Sequence, residues 1–181
     1  FKMANLDPKF TIGDIAQSRD EVMRRLTAEG LLDTNRRVRV SPVPLRVGVV
    51  TSVGTAAWHD FRDELERSEI GFQLSVADVR VQGDMAENMV TAAIARFALR
   101  RDLDAIVVIR GGGARNELAV FDSEKIARTI AACPIPVLTG LGHEVDRSVA
   151  DEVAHTALKT PTACAGALLQ RPLRYLAHSS H

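Results

Sequence analysis

Residues 105–123, AIVVIRGGGARNELAVFDS, decide how this chain folds. The first five are apolar and have the length of a buried strand. They run straight into Arg110 and three consecutive glycines, Gly111, Gly112 and Gly113, before a helical pattern begins near Ser123. Glycine loses more backbone entropy on folding than any other residue, so three in a row are costly. Such a run is expected where another group must approach the backbone closely, or where the chain turns in a way no side chain allows.

Outward from this stretch, strand-like runs alternate with helical patterns. Residues 46–52 (RVGVVTS), 72–81 (FQLSVADVRV) and 135–140 (IPVLTG) read as strands beside 105–110. Residues 55–69, with Trp58, Phe61 and Leu65 on one face, read as a helix, as do 85–101 and 123–132. Strands alternating with helices require a parallel sheet covered on both faces. The expected fold is therefore α/β: an open, mainly parallel, Rossmann-like sheet with helices on both sides. It is preceded by a helix that Thr11 can cap, with Asp14 three residues later and Ile12, Ile15, Val22 and Leu26 in one stripe, stopped by Gly30. The segment RRVRVSPVPLR carries two prolines and reads as an extended linker. This divides the chain into an N-terminal helix and linker, 1–45, and an α/β domain with a C-terminal helix, 46–181. Residues 147–155 read as a short helix. Residues 159–178 read as a longer one, capped by Thr160, with Pro161 in its first position, and kinked or ended by Pro172.

The 181 residues are 46% hydrophobic and 25% charged, as in an ordinary soluble globular protein. Lys and Arg number 23 and Asp and Glu number 23, so there is no net basic footprint, and an anionic ligand must be held locally. No apolar run approaches the roughly 18 residues of a membrane helix, and FKMANLDPKF lacks the pattern of a signal peptide. No membrane partner is expected, and the expected location is the cytoplasm. Cys133 and Cys164 stand in no metal-binding or disulfide spacing and read as small buried hydrophobes.

In an open parallel sheet the ligand crevice lies beyond the carboxyl ends of the strands. The segments expected there are TSVGTAAWHD, RGGGARNEL and GLGHEVD. The first can be a plain strand-to-helix turn, or a loop whose amides, with the Ser52 hydroxyl and the following helix N-terminus, accept an anion. Asp60 can be a solvated helical carboxylate; its place near a strand end makes it a candidate acid, base or metal ligand. The glycine run matches neither the Walker pattern nor G-x-G-x-x-G. A tight turn would explain the glycines but not Arg110, whose planar fork suits phosphate. GLGHEVD gathers His143, Glu144 and Asp146 within four residues, and a carboxylate three residues from an imidazole can orient it or raise its pKa. His59 and His155 have no such setting and read as surface or packing residues.

At these residues the sequence resembles the large subunit of exodeoxyribonuclease VII, the bacterial exonuclease of single-stranded DNA. The likeness runs in order through DPKFTIGDIA, AEGLLD, VGVVTSVGTAAWHD, VQGD, RGGGARNEL, PIPVLTGLGHEVD, VADEVAH and TPTACA. It implies hydrolysis of phosphodiester bonds in single-stranded DNA, releasing oligonucleotides, with Asp60, Arg110, His143 and Asp146 as catalytic residues, the same four that the crevice selects. Ser52, Gly111, Gly112, Gly113 and Arg115 would contact phosphate. Asp60, Asp146 and Glu144 are hard oxygen ligands of the kind that suits magnesium. The family usually has Ser after the glycines and an acidic pair before the Leu, where this chain has Ala114, Arg115, Asn116 and Glu117; a hydroxyl contact is missing and Arg115 can substitute a charge. The resemblance also implies an OB-fold before this region and a helical segment after it that recruits a small subunit, so the sequence looks like an excised catalytic domain. Two other functions fit parts of the pattern. One is a serine peptidase of the LD-carboxypeptidase kind using Ser52, which lies in no G-x-S-x-G elbow. The other is a nucleotide- or phosphate-binding module without catalysis.

Overall fold

A computed structural model describes residues 12–81, 83–111, 115–142 and 147–180. The alternation of strand and helix expected from the sequence is present throughout. Five strands, β1 (Arg46–Thr51), β2 (Gln73–Asp78), β3 (Ala105–Ile109), β4 (Val137–Gly140) and β5 (Thr156–Leu158), form one sheet in the order β2-β1-β3-β4-β5, and every pairing is parallel. Val50 pairs with Val108, Val108 with Thr139 and Thr139 with Ala157. The carboxyl ends of β1, β3, β4 and β5 are thus nearly flush.

Side chains alternate across the strands and divide the core into two layers. Val50, Ile106, Val108 and Val137 face α1 (Ile12–Ala28), α3 (Ala86–Ala98), α4 (Glu124–Ala132) and α5 (Val149–Val153). Val47, Val49, Val107 and Ile109 face α2 (Ala56–Arg67) and α6 (Pro161–Ser179), which supply Phe61, Leu65, Cys164 and Leu168. Both cysteines are buried and free, as their setting in the sequence suggests.

The segment after α1 is joined to the sheet by one fully buried side chain. Asn35, in a single 3-10 turn, donates its amide to the carbonyls of Ile130, Cys133 and Ile135 and accepts from the Val137 N–H at 2.9 Å. It therefore satisfies the end of α4 and the start of β4 together. Arg25 and Arg128 bracket Glu124 between α1 and α4, and Arg128 also reaches Glu29.

The short helix expected over 147–155 is α5, capped by Ser148 and ending at Val153; beyond it the backbone re-enters the sheet as β5, too short to carry a strand pattern of its own. One expectation needs correction. Pro172 does not end α6, which runs on to Ser179 with Pro172 buried inside it. Beyond the proline, the carbonyls of Arg174, Tyr175 and Leu176 accept from His178 Nδ1, Ser179 Oγ and Ser180 Oγ, so the last turns are satisfied by side chains. Thr160 caps α6 as expected, accepting from the Ala163 N–H at 3.0 Å. Thr11 lies outside the described residues.

Gly140 closes β4 against α6. A Cβ there would lie 2.6 Å from Cys164 Sγ and 2.8 Å from the Thr160 carbonyl oxygen. Gly140→Ala should destabilise the protein by about 1–3 kcal/mol in denaturant unfolding, as overpacking does. Adding Cys164→Ala should recover only part of the loss, because the Thr160 carbonyl remains. Asn35→Ala should lower the unfolding free energy by at least about 2 kcal/mol, since buried backbone groups lose their partner.

Candidate functional site

The turns after β1, β3 and β4 meet at the carboxyl edge of the sheet. Arg110 follows β3 and is only 4% exposed; its Nη1 donates to the Leu141 carbonyl at 3.3 Å, and its backbone N–H donates to the Gly140 carbonyl at 3.0 Å. Gly142 sits at φ +74°, and a Cβ there would lie 3.3 Å from the carbonyl oxygens of both Arg110 and Gly111. A side chain is disfavoured on two counts: the left-handed backbone, and the closeness of the neighbouring main chain. The Gly142 N–H donates to the Lys159 carbonyl at 3.0 Å, anchoring the turn from its other side. Gly111 in turn approaches the first turn of α2, where a Cβ on it would meet the Ala57 Cβ at 3.6 Å.

The start of α2 carries no side-chain cap among the described residues. Thr55 occupies the cap position, but its hydroxyl donates to the Ser52 carbonyl at 2.6 Å and makes no capping bond to the helix. The first-turn N–H groups therefore receive no side-chain cap, and the positive end of the helix dipole faces the same region as Gly111. The turn before it is held by the Val53 N–H donating to Asp78 Oδ1 at 3.1 Å, at the end of β2. Ser52 is half-buried. Thr51, at 1% exposure, ends β1 with a hydroxyl that has no hydrogen-bond partner among the described residues. Asp60 is exposed, three residues beyond Ala57 and so on the same side of α2.

On the other flank, α5 is fixed by a buried carboxylate. Asp151 is fully buried and accepts from Thr139 Oγ1 at 2.6 Å and from the Ser148 N–H and Oγ, each at 2.9 Å. Ser148 Oγ in turn accepts from the Asp151 N–H, which completes a capping box. Asp122 accepts from the Val149 N–H at 2.9 Å and pairs with Arg19 of α1 at 3.5 Å. Burial pushes its carboxyl above the usual carboxylate range, against the opposing effect of that N–H and of Arg19. The Arg147 carbonyl accepts from the Arg19 guanidinium, and the Arg147 Nη2 donates to the Asp151 carbonyl at 3.2 Å. Sequence reasoning selects neither Asp151 nor Thr51. The Ser-x-x-Asp spacing of 148 and 151 is a legible cap signal, whereas a threonine ending a strand carries none.

Of the expected site residues, Arg110 and Gly111 lie where the three turns meet, with Ser52 in the turn after β1 and Asp60 one helical turn from that meeting point. Arg115 opens a 3-10 segment, Arg115–Asp122. Gly112, Gly113, His143, Glu144 and Asp146 lie outside the described residues. Among the described residues, no three His, Cys, Asp or Glu side chains come together as a metal site would need.

Comparison with known proteins gives this arrangement its family. Residues 31–180 match the family model described as exonuclease VII, large subunit. A relative from Parasynechococcus marenigrum, named exodeoxyribonuclease 7 large subunit, is 42% identical over 175 residues, 95% of this chain and 44% of its own length. Relatives of the same name from Syntrophotalea carbinolica and Acaryochloris marina are 38% and 40% identical over 90% and 80% of this chain, which is 40% and 35% of their lengths. This chain spans well under half of these relatives, yet the match runs from the end of α1 through the crevice turns to α6: the chain belongs to the exonuclease VII large-subunit family.

Proposed function

We propose that this chain carries the hydrolytic site of an exodeoxyribonuclease that cuts phosphodiester bonds in single-stranded DNA and releases oligonucleotides. The observation that carries the reading is the buried Arg110 at the end of the central strand, beside the bare backbone of Gly111 and the uncapped first turn of α2. These are the donors that an anionic phosphodiester needs: a planar fork, backbone amides and a helix N-terminus. Held in place before the substrate arrives, they also stabilise the charge that builds on the phosphoryl oxygens in the transition state.

The chemistry requires water to attack phosphorus while the bond to the leaving sugar oxygen breaks, so one proton leaves the water and one reaches the leaving oxygen. In this reading His143 performs one of these transfers, Asp146 orients its ring, and Asp60 positions water at the mouth of the crevice. Arg115, Gly112 and Gly113 extend the phosphate contact. Magnesium would be held by Asp60, Asp146 and Glu144, of which Asp60 alone is described. The relatives' name speaks of a large subunit, and we infer a smaller companion chain for the whole protein, bound outside the α/β unit. No helix among the described residues is long and apolar enough to cross a membrane, and a cytoplasmic site of action accords with a DNA substrate. Family membership leaves the peptidase reading without support.

Incubation of the full-length protein with end-labelled single-stranded DNA, a peptide substrate and free nucleotides should show degradation of the DNA alone. His143→Ala and Asp146→Asn should each lower the rate by about 10²-fold or more, with thermal stability nearly unchanged, because the glycine-flanked sequence around them reads as a loop with little packing to lose. Arg110→Lys should be nearly as damaging as Arg110→Ala, since lysine keeps the charge and loses the paired geometry. Normal digestion by any one of these variants would remove that residue from the mechanism. Assays with magnesium and in excess EDTA decide the part of the metal: cleavage lost on chelation and restored by magnesium would assign these carboxylates to it, and full activity in EDTA would rule out the metal set.

A further inference from the structure

At the opposite end of the sheet from the crevice lies a cleft of about 490 Å³, walled by α6 on one side and by Val40 and Pro42 of the linker on the other. It opens at the amino ends of the strands, against Leu138 of β4 and Thr156 of β5. Its polar wall is entirely cationic or neutral. Arg171, Arg174 and His178 come from one face of α6, at the i, i+3, i+7 spacing that stacks side chains along a helix, and His155 faces them from the start of β5. No Asp or Glu lines the cleft among the described residues. This is unusual in a chain whose charges balance, and in which Arg25, Arg62, Arg67, Arg100 and Arg128 are each ion-paired. Neither Arg171 nor Arg174 has an acidic partner among the described residues.

Two details of the cleft narrow the ligand. The His178 Nδ1 donates to the Arg174 carbonyl at 2.7 Å, which fixes that nitrogen as protonated and leaves Nε2 as the ring's other polar atom. Tyr175, between the two arginines and the histidine in sequence, is 54% exposed and lines the cleft. Paired guanidinium groups beside an exposed aromatic ring are the recognition chemistry of single-stranded nucleic acid, in which arginine takes phosphate and the ring stacks on a base without regard to sequence. His155 bears the same mark: burial, then the Arg171 charge, hold its imidazole below the usual histidine range, so a bound anion would relieve it.

We propose that the cleft between α6 and the start of β5 is a second, non-hydrolytic holding site for single-stranded DNA, with Arg171 and Arg174 on successive phosphates and Tyr175 stacked on a base. The length of α6 from Thr160, which abuts Gly140, to Arg174 separates it from the crevice by about 20 Å. A strand occupying both would be gripped away from the bond being cut. The proposal rests on the substrate class argued above, but is tested by binding and not by cleavage, so either can fail alone.

The test is fluorescence anisotropy of labelled oligothymidylates with the full chain. Arg171→Gln with Arg174→Gln should weaken binding about tenfold or more and flatten the log–log salt dependence by about 1.4, from about 0.7 for each phosphate that is no longer neutralised. Arg96→Gln with Arg101→Gln, the same charge change on an exposed surface elsewhere, should leave both nearly unchanged. Tyr175→Ser should weaken binding about fivefold or more, but leave the affinity for an abasic oligomer as it was. In NMR titrations the His155 ring should rise in pKa when the oligomer is added. The assignment is overturned if the Arg171/Arg174 pair binds with unchanged affinity and salt slope, or if the control pair loses as much. It is likewise overturned if inorganic phosphate alone moves His155 while the oligomer does not, which would make the cleft a site for a small anion. Cleavage of an oligomer too short to span both sites should be unaffected by the pair.

Discussion

Everything in the crevice depends on one backbone-to-backbone approach, that of Gly142 to the carbonyls of Arg110 and Gly111. Parallel strands are held apart by their own hydrogen-bond spacing, and the turns beyond them ordinarily diverge toward the helices that follow. Here the turn after β4 bends back on the end of β3, close enough that a Cβ would press on the carbonyls, and the Arg110 guanidinium closes the gap through the Leu141 carbonyl. The arginine is therefore buried against main chain, whose Leu141 carbonyl accepts from its Nη1. Burial of a cation among carbonyl dipoles costs far less than burial among methyl groups, and it leaves the guanidinium stationary, with little side-chain entropy to lose when an anion arrives.

The charge pattern of the chain serves two separate purposes. Between α1 and α4, Arg25, Arg128, Glu29 and Glu124 form a surface network in which each carboxylate is held below its usual range by hydrogen-bonded guanidinium groups. Exposed pairs of this kind add little to stability and mainly fix how α1 lies on the sheet. In the α6 cleft, by contrast, Arg171 and Arg174 gather without acids among the described lining residues. A chain of zero formal charge can thus present a cationic surface, because its charges are unevenly spread: acids accompany the arginines between α1 and α4 and none lines the α6 cleft among the described residues.

How much of this was legible in the sequence follows from which forces act locally. The four longer strands and the helices between them were readable because each is a run of one period bounded by glycine, proline or a cap, and Thr160 caps the helix it was placed before. Arg110 and Gly111 were singled out by chemistry and position, and both lie where the three turns meet. Three residues were too few to declare β5, whose pairing is decided by β4 and by α5 ending at Val153. Pro172 misled because its local cost is real, yet α6 runs through it to Ser179 with the proline itself buried in the packing. Asp151 was overlooked because a carboxylate in a short amphipathic segment looks solvated until Thr139 is known to stand opposite. The α6 cleft joins residues some 130 positions apart, from the linker to the last helix, and no local pattern announces such a surface.

The packing of α6 on α2 has a further consequence, for the order in which the chain can be made. Phe61 and Leu65 of α2 are covered by Cys164, Ala165 and Leu168 of α6, the last of these helices to leave the ribosome. During synthesis β1, β3 and β4 can pair, and the α1, α3 and α4 side can close, while the opposite layer still lacks its cover. A nascent chain at that stage shows a bare apolar flank on the very helix that bears Asp60. Chaperone capture and protease sensitivity of a stalled polypeptide should therefore concentrate on α2, and the crevice edge becomes the last part of the sheet to acquire its native surroundings.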